Sequence, residues 1–304
     1  MEARVGRAGR VRLPAISART FALLAYAALA ALVLIVATGA TVRLTSSGLG
    51  CENWPRCGSS FLPQTDYHAY IEFGNRVVGF LVGIATVVVA VAARRAQGVS
   101  RRLAAAAAAL PVLVLSQGIL GGITVLFELH PLIVLAHFLL SLLAVAVAVY
   151  VAIGAHELAL GGRSAPVDLR ARLGWLALAL VPPALALVVT GTLVTAAGPH
   201  SGGEEIRRFG TLVDAVHVHV GAAAAFGVGF LALVVVLLVE RRHAPVELGL
   251  AAAVLVLLLG QMVIGEVQWR ERLPWGLVLA HVALATGVWT GVVALAVRLA
   301  PRRA

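Results

Sequence analysis

Apolar runs of about 20 residues alternate with short polar segments along almost the whole chain. Eight such runs stand out, at roughly 20–42, 69–93, 103–126, 132–154, 173–196, 214–239, 248–267 and 275–298. A helix rises about 1.5 Å per residue, so each run is long enough to cross the roughly 30 Å hydrocarbon core of a bilayer. A segment inside lipid has to satisfy its own backbone donors and acceptors, which makes these runs helices. Ala, Leu, Val and Gly fill them, and small residues let neighbouring helices approach closely. The pattern predicts an all-α integral membrane protein with eight transmembrane helices.

The few polar positions inside these runs recur. Asn75 and His137 in the first half are matched, 144 residues later, by His219 and His281, and Gln117 and Gly121 are matched by Gln261 and Gly265 at the same offset. The two ends of the first helix of each half are also alike: Thr38–Gly39 precedes Ser46-Ser47-Gly48, and Thr190–Gly191 precedes Ala196-Ala197-Gly198. The chain is therefore read as two pseudo-symmetric four-helix bundles. Residues 1–19 form a basic N-terminus, 20–154 the first half, 155–172 a linker, 173–298 the second half and 299–304 a tail. Four helices per half is an even number, so the repeats have parallel topology.

Composition agrees: 61% of residues are hydrophobic and 12% charged, with mean hydropathy +0.97, outside the range of soluble globular proteins. Charge adds orientation. All 24 basic residues are arginine. Alternating the loops puts seventeen of them on one side, among them Arg94, Arg95, Arg101, Arg102, Arg163, Arg170, Arg172, Arg241, Arg242 and those of both termini; Arg43, Arg56, Arg76, Arg207, Arg208, Arg270 and Arg272 fall elsewhere. The positive-inside rule then places both termini in the cytoplasm, in a bacterial plasma membrane. The net charge of +10 is a topology signal, and arginines scattered over separate segments do not make a nucleic-acid surface. The first apolar run is too long for a secretory signal and is read as a permanent span.

The candidate chemistry sits at one depth. Asn75, His137, His219 and His281 each lie some five to seven residues inside the outer ends of their runs, about 8–10 Å below the boundary. Two imidazoles at one depth on neighbouring helices can hold a haem iron from both sides, which makes His219 and His281 candidate axial ligands of a haem. His217 competes with His219, but the two are about 200° apart around a helix, and the repeat offset selects His219. In the first half His137 is opposed by Asn75, a poor iron ligand. Glu72 lies one turn before Asn75. A carboxylate there needs a partner or a task, and the two readings are an ion pair with Arg76 and an acid–base role beside the first pocket. Cys51 and Cys57 occupy a loop on the oxidising side and are expected to form a disulfide, either a staple or a redox pair. Glu204, Glu205 and His200 share the other long outer loop. His68, His130 and His200 are assigned to outer loops, His156 and His243 to inner ones, and solvent accounts for most of them. Neither a phosphate-binding loop, nor a dinucleotide fingerprint, nor zinc spacing is present.

The run Gly39-Ala40-Thr41-Val42-Arg43-Leu44-Thr45-Ser46-Ser47-Gly48-Leu49-Gly50-Cys51, with Trp54-Pro55 and Cys57, resembles the first outer segment of haem A synthases. Ile71-Glu72-Phe73-Gly74-Asn75-Arg76 is similar to that family's second-helix motif, usually Glu-x-x-His-Arg, and His137, His219 and His281 fall where the family has its other helix histidines. The resemblance covers nearly the whole chain. It implies a membrane haem-dependent oxidoreductase acting on a CH group, which oxidises a methyl of haem O to the formyl of haem A for terminal oxidases. It further implies a resident haem b on His219 and His281, a substrate haem O pocket with Glu72, Asn75, Arg76 and His137, Glu72 as the essential catalytic carboxylate, a Cys51–Cys57 disulfide, and a haem O synthase as partner. Asn75 stands where many members have histidine, a departure under which His137 alone ligates substrate iron. The alternatives are a non-catalytic b-type cytochrome and a transporter with parallel repeats. Matched depth speaks against a transmembrane relay, and only Pro182-Pro183 suggests a broken helix. The electron acceptor and any homo-oligomer, beyond contact with membrane lipid, are not legible.

Overall fold

The computed structural model describes residues 15–51, 53–63, 66–161, 166–200 and 210–301. The expectations for residues 1–14, 162–165 and 302–304, and for Glu204, Glu205, Arg207 and Arg208, lie outside the described residues. Among the described residues the regular structure is helical apart from two isolated bridge pairs. The helices are α1 (Ala18–Leu44), α2 (Tyr67–Arg95), α3 (Arg101–Leu126), α4 (Pro131–Leu160), α5 (Val167–Ala179), α6 (Val181–Ala197), α7 (Leu212–Val239), α8 (Pro245–Arg270) and α9 (Trp275–Leu299). Helices α5 and α6 together make one span, so eight helical segments are long and apolar enough to cross a membrane. The protein is a multi-pass, all-α membrane protein.

Local chemistry sets the helix ends. Ser17, Asp66, Ser100 and Thr211 accept from backbone amides of the first turns of α1, α2, α3 and α7, satisfying donors that a helix leaves unpaired. Pro131 and Pro245 open α4 and α8, where a missing N–H costs nothing. Helix α4 continues past its apolar stretch through His156 and Glu157 and stops at Gly161, which takes the left-handed conformation (φ 61°). Hydropathy marks the part of a helix that lies in lipid; the hydrogen-bond ladder continues beyond it. The break between α5 and α6 falls at Leu180, just before Pro182-Pro183. A proline ring collides with the carbonyl four residues earlier and offers no N–H, so the ladder is interrupted there.

Packing is uneven. In the first half α2 lies along both α1 and α3, and α4 closes the bundle against α1 and α3. In the second half α6–α7 and α8–α9 are well packed pairs, but α7 barely touches α8. The halves meet along a seam of α1, α4, α6 and α9. Its core is built of small and branched residues, including Ala25, Ala28, Val145, Ala148, Ala152, Val292 and Leu295. A directed bond from the buried Trp289 indole N–H to the Leu142 carbonyl crosses it at 3.0 Å. At the end away from the cysteines, Arg298 pairs with the buried Glu247 at 2.7 Å.

Candidate functional site

A single cavity of about 2240 Å³ runs through the disulfide end of both halves. Ligand pockets usually measure about 300–1,000 Å³, so this space is large enough for two bulky molecules. His219, His281, His137, Asn75, Glu72 and Arg76 all line it. His137 and His281 each lie six residues beyond the first residue of their helix, His219 seven and Asn75 eight.

In the second half the rings of His219 (α7) and His281 (α9) face each other with centroids 6.3 Å apart and planes at 69°. A metal bound by one nitrogen of each ring would set the centres roughly 6 Å apart, given metal–imidazole bonds of about 2 Å. The Thr190 hydroxyl donates to the Leu187 carbonyl at 2.9 Å and lies 3.1 Å from His219 Nδ1. Its one proton is thus used, so it accepts from Nδ1–H, and the lone pair of Nε2 is left for a metal. The buried Nδ1 of His281 has no partner among the described residues. Gly191 and Gly265 let the backbone approach the rings: a Cβ at either would stand 3.1 Å from His219 Cε1 or 3.4 Å from His281 Cε1. This donor set fits a haem held from both faces. His217, two residues away, is exposed, and it is His219 that faces His281.

Several of these contacts recur in the first half. Gln117 donates to the His137 carbonyl at 2.9 Å, as Gln261 does to that of His281 at 2.9 Å. A Cβ at Gly121 would stand 3.3 Å from His137 Cε1, and the buried His137 Nδ1 has no protein partner. Thr38 donates to Asn75 Oδ1 at 2.8 Å, the place where Thr190 meets His219. One imidazole and one amide thus replace the two facing imidazoles, a set suited to a porphyrin iron held by protein on one side.

The rest of the first pocket is charged and roofed. Glu72 is 5% exposed. It pairs with Arg76 at 2.5 Å and accepts the Cys51 N–H at 2.9 Å. Arg76 in turn donates to the carbonyls of Asn53, Pro55 and Arg56. Cys51 and Cys57 form a disulfide with Cα atoms 4.4 Å apart. The ion pair therefore holds the disulfide loop over the pocket from below. Two glycines make this possible. A Cβ at Gly50 would fall 2.4 Å from the His68 backbone, and one at Gly122 would fall 2.5 Å from the Trp54 indole, so the loop can press on α2 and Trp54 can lie on α3 beside the His137 pocket.

A family model described as COX15-CtaA, cytochrome oxidase assembly protein, matches residues 22–293. The chain belongs to the COX15-CtaA family. Among curated relatives, it is 40% identical to the heme A synthase of Symbiobacterium thermophilum over 42% of this chain and 43% of the relative. It is 30% identical to that of Lysinibacillus sphaericus over 56% of each, and 32% identical to that of Alkalihalophilus pseudofirmus over 41% of this chain and 42% of the relative. The matched regions thus span about half the length of these relatives.

Within this COX15-CtaA chain several sequence expectations change. Glu72 forms the ion pair with Arg76, one of the two readings given for it, and gains a further partner in the Cys51 amide. Several of the remaining histidines have protein partners: His68 bonds Ser47 at 2.9 Å, His156 lies inside α4 and bonds Tyr26 at 2.8 Å, His200 reaches the Leu273 carbonyl at 2.7 Å, and the exposed His243 meets Glu240 at 3.2 Å, while His130 is exposed. For His68, His156 and His200 the fold brings hydroxyls and a carbonyl from distant parts of the chain. Sequence reasoning missed the roof role of Trp54 and the tautomer control by Thr190. The shared Thr-Gly pair at the ends of α1 and α6 was the visible trace of the latter.

Proposed function

We propose that this protein is a haem A synthase, oxidising a methyl group of haem O to a formyl group in the first pocket. The observation that carries this reading is the pairing of two unlike pockets in one cavity: two facing imidazoles in residues 173–298, and one imidazole beside a roofed ion pair in residues 20–154. Membership of the COX15-CtaA family and the heme A synthases among its relatives support it. The membrane in question is the bacterial plasma membrane, with the disulfide loop outside and both termini in the cytoplasm.

A haem b on His219 and His281 supplies one-electron transfer when bound. The protein does the rest. Thr190 fixes His219 in the Nδ1–H tautomer, and Gly191 and Gly265 set the ring positions. In the first pocket His137 offers its imidazole to the substrate iron, and Asn75, held by Thr38, lies at the corresponding position of α2. Glu72 is the carboxylate available to move a proton near the substrate, and Arg76 holds it in place. The disulfide loop, with Trp54, closes the pocket against water. A haem O synthase is the expected source of substrate.

The test is expression in a host that makes haem O but no haem A, followed by haem extraction and chromatography. Haem A, or its hydroxylated precursor, is the expected product. Well-expressed protein that carries haem b and yields neither would overturn this reading in favour of an electron-transfer cytochrome.

A further inference from the structure

We propose that Arg43 binds a propionate carboxylate of the porphyrin substrate and so orients it in the first pocket. This rests on the haem O reading above and adds a residue to it.

Arg43 lies in the last turn of α1, one turn beyond Gly39, whose α-carbon face lies against the Asn75 amide (4.0 Å from an added Cβ to Nδ2). It lines the cavity, and its Nε is buried with no acceptor. A guanidinium near a helix end often reaches out to the interface, but this buried Nε is turned away from solvent. Among the described residues lining the cavity, Arg43 and Arg76 are the arginines. Arg76 is engaged by Glu72 and three carbonyls. The cavity's carboxylates are engaged as well, Glu72 by Arg76 and the Cys51 amide, and Glu266 by Arg270 at 2.6 Å. No described protein anion is left for Arg43.

Arg43 is half-buried, and its buried Nε has no partner among the described residues; an unsatisfied buried donor on a cation is unfavourable, so the position favours an anion from outside the chain. A guanidinium fork matches a carboxylate through two parallel hydrogen bonds. Haem O offers carboxylates on one edge and hydrocarbon elsewhere. The wall written by α1 has the same polarity: Arg43 at the disulfide end, then Val36, Ile35 and Leu32 deeper along the cavity. With a propionate on Arg43, the carboxylate edge points to the disulfide end and the hydrocarbon edge enters the apolar depth. Among the described residues the second pocket has no counterpart of Arg43 on its first span. Aligning Thr38–Gly39 with Thr190–Gly191 puts Thr195 at the place of Arg43, and its hydroxyl is spent on the Gly191 carbonyl at 3.1 Å. A carboxylate anchor in one half only fits a pocket that must set the orientation of a substrate.

The experiment is spectral titration of the full-length protein, with its resident haem in place, using haem O and its dimethyl ester on wild type, Arg43→Gln and Arg43→Lys. Charge-assisted hydrogen bonds of this kind correspond to a roughly ten- to hundredfold change in affinity. Wild type is expected to bind the acid at least about tenfold more tightly than the ester. Arg43→Gln should bind both equally and weakly, and Arg43→Lys should recover part of the preference for the acid. The resident-haem spectrum reports folding. Wild type that binds acid and ester alike, or Arg43→Gln that keeps the preference, overturns the proposal. If Arg43→Gln does not fold, the wild-type comparison and Arg43→Lys decide in the same way. Tight, acid-selective binding of haem O without haem A formation would leave the role of Arg43 standing and refute the enzymatic reading. Failure of wild type to bind haem O would overturn both.

Discussion

The two halves of this chain share a scaffold and differ at the points where chemistry is decided. In both, a glutamine holds the carbonyl of a histidine from the neighbouring helix and a glycine lies under its ring. In both, a threonine on the first span reaches the second polar position. That position is His219 in one half and Asn75 in the other. The half with two facing imidazoles leaves α7 and α8 loosely associated and lacks a described ion pair between cavity-facing side chains other than Glu266–Arg270. The half with one imidazole is packed on every side and adds Glu72, Arg76, Arg43 and a disulfide loop. The difference teaches how two similar bundles can serve unlike roles: on the proposed reading one holds a metal group between two imidazoles, while the other combines one imidazole with an ion pair, a roof and Arg43.

The largest effect that would break this comparison belongs to the ligand pair. His219→Ala or His281→Ala should remove essentially all of the resident haem and with it haem A formation, because one imidazole cannot clamp the iron from both sides. Haem content per purified protein checks this; a full complement in either variant would contradict it. Next, Glu72→Gln keeps the shape but leaves Arg76 without its charge partner. Breaking such a pair costs roughly 3 kcal/mol or more, so haem A yield should fall by at least about tenfold while resident haem is unchanged. In the same pocket, His137→Ala should lose most activity and Asn75→Ala only part, since a single imidazole carries the ligation and the amide assists. Equal, near-wild-type haem A from both variants would dismiss that division of labour. The smallest effect is expected at Gly122→Ala. The new methyl would meet the Trp54 indole, and overpacking of this kind costs about 1–3 kcal/mol. A several-fold weaker affinity for haem O, measured by titration with the resident haem intact, would show that the roof matters.

Much of the fold was legible because lipid imposes a simple rule on sequence. Helices must be apolar for about 20 residues, so the spans and the rare polar residues inside them stand out together. That contrast is why Asn75, His137, His219 and His281 could be paired by offset, and why the offset selected His219 over His217. The disulfide was legible from spacing and compartment. What was hidden depends on which side chains distant segments bring together. The fan of carbonyls around Arg76, the fit of Trp54 on Gly122, and the isolation of Arg43 arise only when the loop folds back on α2 and α3. The sequence places Arg43 in an outer segment like any other arginine, and nothing in its neighbours says that every nearby carboxylate is already engaged. The looseness of α7 against α8 is likewise invisible, since both helices are apolar throughout.

The most direct test of unlike roles is to purify His137→Ala and His281→Ala side by side from a host supplying haem O, and to measure both resident haem b and haem A in each. The account predicts that His137→Ala keeps its haem b and loses most haem A, and that His281→Ala loses both. Loss of haem b from His137→Ala with retention in His281→Ala would reverse the assignment of the two pockets and contradict the account.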